Sequence, residues 1–394
     1  MSTLKVDTIE HETATSAIDL PNKLKVGGAG VEQGYTSSET QPTDGEAGDF
    51  WWDSANEKIY RYIDGEFKEL TGATTPSGPN WGGSRGLSVG GNLTTGRIAS
   101  IDYFDLSVTS NNAQDFGDLL VANEKSTCVS SGSRGVKAGG QIDGSGFVYT
   151  NSMEYWTFAT PGDAQDFGDL LTVLSSAASA SDSTKGLIAM GQDAYTQTAT
   201  TGRTDTIQYI TIATTGNTTD FGDLTADRFK GAGTNDLTRA VFAGGFDHTG
   251  SAYVYLNTMD YITMATTGNA TDFGDMLDGT AGGGIGTISD NTTGVFTGGN
   301  KTNAAYNNEI EKITIATTGN ATDFGDLLTS LAYHGQTSNP DNARGVIFGG
   351  FYNPGTVRTE TIQYITISSP GNATDFGDLT GQIEYSAGSS GAAS

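Results

Sequence analysis

Apolar residues in this chain come in short runs with a period of two. Leu4-Lys5-Val6-Asp7-Thr8-Ile9-Glu10 alternates apolar and polar positions, as a half-buried strand does. Ile207, Tyr209, Ile210 and Ile212 put apolar side chains on both faces of one run, which predicts a strand inside a stack of sheets. No apolar run is long enough to cross a membrane as a helix.

The runs repeat. Asp220-Phe221-Gly222-Asp223-Leu224 recurs from Asp115, Asp166, Asp272, Asp323 and Asp375, with Met276 as the one departure from Leu. The spacings are 51, 54, 52, 51 and 52 residues, a period that marks a repeat architecture. Six copies without a glycine-rich loop or a His-Arg-Asp loop exclude a kinase magnesium site. A second landmark runs from Arg85, Arg134, Lys185, Arg239, Thr293 and Arg344 to a double glycine, with Met190-Gly191 in the third copy. A third is the Ile-Asp-Tyr type of run at Tyr103, Tyr155, Tyr209, Tyr261 and Tyr364, where the fifth copy carries Lys312. A small, polar stretch completes each period. Four strands per period and six periods predict an all-β fold, a six-bladed β-propeller. The stretch from Thr380 to Gly388 continues past the last Phe strand and is expected to supply the strand missing from the first blade, closing the ring.

Four segments follow. Residues 1–33 are expected to form an N-terminal attachment and oligomerisation segment. Residues 34–72 should be a small aromatic β-meander of three strands, with Asp64-Gly65 as a hairpin turn and Trp51 and Trp52 on opposite faces of one strand. Those tryptophans suit a tiny core and an interface, or a sugar-stacking platform. Residues 73–84 read as a linker punctuated by Pro76 and Pro79, and residues 85–394 as the propeller.

Charge and chemistry narrow the function. The net charge of −26 argues against nucleic-acid binding and against an anionic membrane surface. Cys128 is the only cysteine, so neither an intrachain disulfide nor a cysteine-based zinc site is possible. The start lacks an apolar signal region, so the expectation is synthesis in a cytoplasm and exit by a route other than secretion. His11, His248 and His334 lie in different segments and build no catalytic set with Cys128, so no enzyme, cofactor or metal is expected. The paired aspartates of each motif could hold calcium, or their side chains could cap backbone N–H groups in a turn; six near-identical copies favour the turn.

The turn before the Phe strand is nearly invariant, whereas the loop after the double glycine diverges. Those divergent loops carry Phe147, Tyr149, Tyr195, Phe246, His248, Tyr253, Tyr255, Tyr306, Phe351 and Tyr352, the candidate recognition residues. Aromatic faces beside Asn, Asp and Thr suit sugar recognition; alternatively these rings pack between neighbouring loops.

The double glycine, the Tyr strand and the aromatic strand at this period resemble a kelch repeat, with Phe116, Phe167, Phe221, Phe273, Phe324 and Phe376 where kelch has tryptophan. The opening Ser2-Thr3-Leu4-Lys5-Val6-Asp7-Thr8-Ile9 is similar to the N-termini of tail-fibre and other virion structural proteins of tailed phages, especially those infecting marine cyanobacteria. The Asp49-Phe50-Trp51-Trp52-Asp53 module and the Thr-Gly-Asn-Ala-Thr-Asp-Phe-Gly-Asp-Leu repeats resemble parts of the same phage proteins. The resemblance implies a virion tail component assembled in the host cytoplasm. Its N-terminal segment would join other virion tail proteins as a homo-oligomer, a trimer being favoured. Its propeller would meet a host-cell surface receptor, glycan or protein. The alternative is a structural protein of the tail or capsid whose propeller packs on neighbouring subunits.

Overall fold

A computed structural model describes residues 35–38, 50–53, 58–63, 66–69, 82–144, 148–193, 202–249, 252–281, 285–301, 305–352 and 357–392. The expected attachment segment, residues 1–33, lies outside them, as does nearly all of the linker. The chain divides into two compact units, Met1–Gly78 and Pro79–Ser394. In the first, the hairpins Phe50–Asp53 with Lys58–Ile63 and Lys58–Ile63 with Glu66–Glu69 form as the turn signals predict. The sheet has four strands rather than three, because Tyr35–Ser38 adds in parallel to Phe50–Asp53. Tyr35-Thr36-Ser37-Ser38 has too little apolar periodicity to announce itself as a strand.

The second unit is all-β, built from antiparallel sheets. The first sheet contains Ala387–Gly391, Arg85–Leu93, Gly96–Asp105 and Gln114–Asp118, so the C-terminal strand pairs beside the first repeat. The second contains Thr127–Ser130, Arg134–Ala138, Ser152–Thr157 and Gln165–Asp169. The third contains Ala178–Ser181, Lys185–Gly191, Thr204–Thr211 and Thr219–Arg228. The fourth contains Ala232–Asn235, Arg239–Ala243, Thr258–Thr263 and Thr271–Asp275. The sixth contains Gly335–Asn339, Arg344–Phe348, Thr361–Thr366 and Thr374–Asp378. The fifth departs: Thr293–Thr297, Ala305–Thr314 and Thr322–Ala332 form its body, while Ile285–Gly286 pairs in parallel with Gly335–Gln336 of the sixth.

The invariant motif joins one sheet to the next. The backbone N–H of its second aspartate donates to a side-chain oxygen in the turn of the following repeat. The pairs are Asp118 to Asp163, Asp169 to Asn217, Asp223 to Asn269, Asp275 to Asn320, Asp326 to Asn372 and, returning to the first repeat, Asp378 to Asn112. The capping side chain is therefore not the motif's own aspartate, as the sequence suggested, but the Asn or Asp of the next Gly-Asn turn. The motif glycine lets that turn approach: a Cβ on Gly222, at φ 147°, would lie 2.3 Å from the Gly268 carbonyl oxygen.

A second series uses the polar residue of each Tyr strand. Leu120 N–H donates to Glu154, Leu171 to Gln208, Thr225 to Asp260, Leu277 to Glu311 and Leu328 to Gln363, and the Thr380 hydroxyl donates to Asp102. Each acceptor is buried, so each would be costly if unpaired.

The landmark cation and tyrosine act as a unit. Arg85, Arg134, Lys185, Arg239 and Arg344 lie over Tyr103, Tyr155, Tyr209, Tyr261 and Tyr364. Each ring meets the motif phenylalanine edge-on, as Tyr209 meets Phe221 at 5.9 Å. The same cations donate to strand-end carbonyls of the next sheet, Arg134 to Ala213 at 2.8 Å and Lys185 to Met264 at 2.8 Å. The fifth repeat lacks both partners at once, with Thr293 and Lys312 in their places.

The core is divided accordingly. Each apolar cluster is shared by two consecutive repeats, as where Val129, Met153 and Phe167 meet Ile188, Ile210 and Ile212, and one cluster joins Phe348, Ile362 and Phe376 to Phe104 and Leu106. The small-residue strands meet through hydroxyls and amides instead. Thr127 donates to Ser179, Thr234 to the Ile288 carbonyl and Ser390 to the Ser338 carbonyl, and Asn235 bonds Ser181 in both directions. Bulk is excluded here, since a Cβ on Gly388 would sit 1.9 Å from the Gln336 carbonyl oxygen.

Replacing Gly222 by Ala is expected to lower the unfolding free energy by about 3 kcal/mol. Asn217→Ala should cost about 1 kcal/mol. Gly371→Ala, whose Cβ meets nothing within 4 Å, should stay within about 0.5 kcal/mol of the wild type. Urea denaturation of the three variants checks the order.

Candidate functional site

Within each antiparallel sheet the divergent loops and the connections to the next repeat emerge at the same end. Just before the first strand, five repeats place a non-glycine residue in the left-handed region: Lys125, Ser176, Lys230, Tyr333 and Tyr385, at φ 57°, 56°, 60°, 59° and 55°. Such residues store about 1 kcal/mol each, which a glycine would relieve. Their backbones are strung together: Tyr385 N–H donates to the Tyr333 carbonyl, Lys125 to Tyr385, Ser176 to Lys125 and Lys230 to Ser176, at 2.8, 3.1, 2.8 and 3.0 Å.

The side chains of this arc converge. The Tyr333 and Tyr385 rings lie 4.5 Å apart at 32°. Lys125 Nζ is 4.7 Å from the Tyr385 ring centre and donates to Gln141 at 3.0 Å. Lys230 Nζ is 4.9 Å from the Tyr333 ring, 5.6 Å from Phe246 and 5.8 Å from Phe229. Among the described residues no hydrogen-bond acceptor or carboxylate pairs with the Lys230 ammonium. Desolvation, with repulsion from Lys125 and against the attraction of Glu124 and Glu384, lowers its pKa to about 8.

Two buried carboxylates flank the arc. Glu124 accepts from Arg97 at 2.9 Å, and Glu384 pairs with Arg358. Burial, opposed by Arg358 and reinforced by Glu124, raises Glu384 to about 7. One oxygen of each carboxylate, Glu124 Oε2 and Glu384 Oε2, is buried without a partner, as are Asn300 Oδ1, Gln141 Nε2 and Arg358 Nε. Asn300 also donates to the Tyr333 hydroxyl, and burial raises Tyr333 to about 12. Buried polar groups normally find partners, so these unmet donors and acceptors oppose folding at this end of the unit.

Four of the ten residues picked from the divergent loops gather here as the wall of the site. Phe246 is buried against Phe229 and Tyr255, Tyr255 is half-buried, and Tyr306 and Phe351 stand 6.4 and 6.3 Å from Tyr333. Tyr149 pairs across from Gln141 and donates to Gln192 at 2.8 Å, and Tyr352 packs on the apolar cluster of the fifth and sixth repeats. Phe147 and Tyr195 lie outside the described residues. His248 pairs with Tyr253 across a hairpin, and their side chains also lie outside the description. His334 is buried and held neutral by desolvation, its pKa lowered to about 3, and its ring bonds Thr297 at 2.8 Å. Cys128 is buried, and burial pushes its thiol pKa up, which leaves it inert.

The arc itself escaped the sequence reading, although a signal exists. Counting six residues on from Leu119, Leu170, Leu224, Leu327 and Leu379 gives Lys125, Ser176, Lys230, Tyr333 and Tyr385. The five residues share one offset from an invariant motif and differ in chemistry, Ser176 being buried and the others half-buried. No protein-family model matches the sequence, and no curated protein does either.

Lys230→Met should raise the unfolding free energy at pH 7 by about 1 kcal/mol, because an unpaired desolvated cation is removed. The unfolded chain binds the Lys230 proton more tightly between pH 8 and 10.5, so the wild type should close the gap to the variant as pH rises through that window. Glu384 behaves oppositely. Its folded pKa lies above the ordinary value of 4.5, so its contribution to stability falls as pH rises from 4.5 to 7. Glu384→Gln should flatten that slope in denaturation curves taken across the interval.

Proposed function

We propose that the six repeats are the blades of a kelch-like six-bladed β-propeller closed by the C-terminal strand, and that the chain is a receptor-binding component of a phage tail fibre. The closure is supported by hydrogen bonds and apolar clusters that pass from each repeat to the next and return from the sixth to the first. The observation that carries the binding role is the arc of left-handed residues, where lysines and tyrosines are displayed at a backbone cost above buried polar atoms without partners. Functional surfaces sit where strain and unmet polarity coincide.

On this reading the protein binds and does not turn over a substrate. Residues 1–33 join other virion tail proteins and hold the chain as a homotrimer, and the arc faces a glycan or protein of the host-cell surface. Several weak sites on one particle then act together, since linked binding multiplies weak affinity. The protein's place is the virion tail, assembled in the host cytoplasm.

The test is binding of labelled full-length protein to intact marine cyanobacterial cells of strains susceptible to tailed phages. Saturable binding that falls at least tenfold in a Lys125→Ala, Tyr385→Ala double variant is expected. A well-folded wild type that binds none of the susceptible strains contradicts the receptor role.

A further inference from the structure

The connections that lead into the arc begin with exposed leucines. Leu120, Leu171, Leu277 and Leu328 each follow the invariant motif directly and are 48 to 57% exposed. Val121 and Val173 stand exposed beside the first two, and Val254 and Val357 on divergent loops at the same end. Among the described residues only Val108 and Leu237 are comparably exposed at the opposite end. The fold does not require leucine at this position. Each leucine N–H is held by a buried acceptor of the next repeat, Glu154, Gln208, Glu311 or Gln363, and the other two repeats carry Thr225 and Thr380 there. A polar residue fits, so exposed leucine at one repeated position marks an interaction surface rather than apolar residues scattered singly.

The charges at this end are sorted by depth. Asp143, Asp227 and Asp278 are 51 to 74% exposed, while the cations they pair with, Arg97, Arg203 and Lys301, are 10 to 24% exposed. Leucine, valine and aspartate thus face outward, and these cations lie beneath. We infer that this end docks a protein surface whose apolar side chains are flanked by lysine or arginine. The inference rests on the receptor reading above and narrows the receptor from glycan or protein to protein. Leucine and valine offer no donor or acceptor to a glycan's hydroxyls, and they gain by meeting other apolar side chains. The outward aspartates complement a basic rim, and they repel both an anionic lipid surface and a second copy of a chain with net charge −26. The chain enters this unit at the other end, where a Cβ on Gly82 would meet Pro340 and Leu106 N–H donates to the Ser84 carbonyl, so residues 82–84 do not cover the leucines.

The experiment measures binding of labelled full-length protein to the susceptible cells, untreated, treated with protease, or oxidised with periodate. Protease should weaken binding about tenfold or more, and periodate should leave it within about twofold. A variant with Leu120→Thr, Leu171→Thr, Leu277→Thr and Leu328→Thr, which copies the third and sixth repeats, should also lose about tenfold or more, whereas Val108→Thr with Leu237→Thr should bind like the wild type. Asp143→Asn, Asp227→Asn and Asp278→Asn together should weaken binding about threefold and reduce its sensitivity to salt. The inference is overturned if periodate rather than protease abolishes binding, or if the leucine or the aspartate variant, with the urea midpoint of the wild type, binds like the wild type. It is also overturned if the wild type sediments as a larger species than the leucine variant, which would make a second copy the occupant, or if phosphatidylcholine vesicles bind as tightly as cells. Each of these outcomes leaves cell attachment itself in place. A wild type that binds no untreated susceptible strain removes the receptor role and this partner with it.

Discussion

Everything in the second unit depends on the contact between the Asp-Phe-Gly-Asp strand of one repeat and the Gly-Asn turn of the next. A sheet with apolar residues on both faces cannot stand alone in water. It needs a neighbour on each side, and among the described residues the adjacent repeats supply it. The motif fixes that neighbour's distance and register at once. Its glycine admits the turn backbone, its second aspartate donates the N–H, and the turn's Asn accepts it. Because each repeat gives and receives the same bond, mismatch at one joint would propagate to all of them. That is a physical reason for near-identity at this motif and for freedom elsewhere.

The division of labour among polar groups follows. Hydroxyls and amides on the small-residue strands find partners in adjacent repeats, and the mid-strand carboxylates and glutamines bond the backbone of the preceding repeat. Two buried ion pairs, Lys137 with Glu154 and Arg228 with Asp260, lie within the scaffold, the second leaving Arg228 Nε and Nη1 buried without partners. Around Lys125, Lys230, Tyr333 and Tyr385 further polar atoms are left unmet. Here the backbone is strained, a lysine is desolvated without a hydrogen-bonded partner among the described residues, and burial raises the pKa of a carboxyl group. These features oppose folding, and they are concentrated at one end of the unit, where a ligand would relieve them.

The all-β fold was legible because it is periodic: the Asp-Phe-Gly-Asp motif announces a strand six times, and the double glycine and the Tyr strand five times each. What those residues do to one another was not legible. The cap comes from Asn217 or Asn269 in the next repeat rather than from Asp220 or Asp223, since hydrogen bonds between repeats leave no trace in local spacing. The loss of Arg and Tyr together in the fifth repeat makes sense only once the cation is seen over the ring. At the site, aromatic content drew attention to Phe246, Tyr255, Tyr306 and Phe351, which form the wall. The displayed residues were hidden in a stretch dismissed as small and polar, because a left-handed backbone at Lys230 cannot be read from Lys230-Gly231-Ala232.

The central claim is that the arc holds Lys230 among aromatic rings at a cost in desolvation that the nearby Glu124 and Glu384 offset only in part. The direct measurement is an NMR titration of the 13Cε-labelled lysine signals of the full-length protein. The account predicts one resonance titrating near 8 and absent in Lys230→Met. A Lys230 signal that titrates near 10.5 would contradict it.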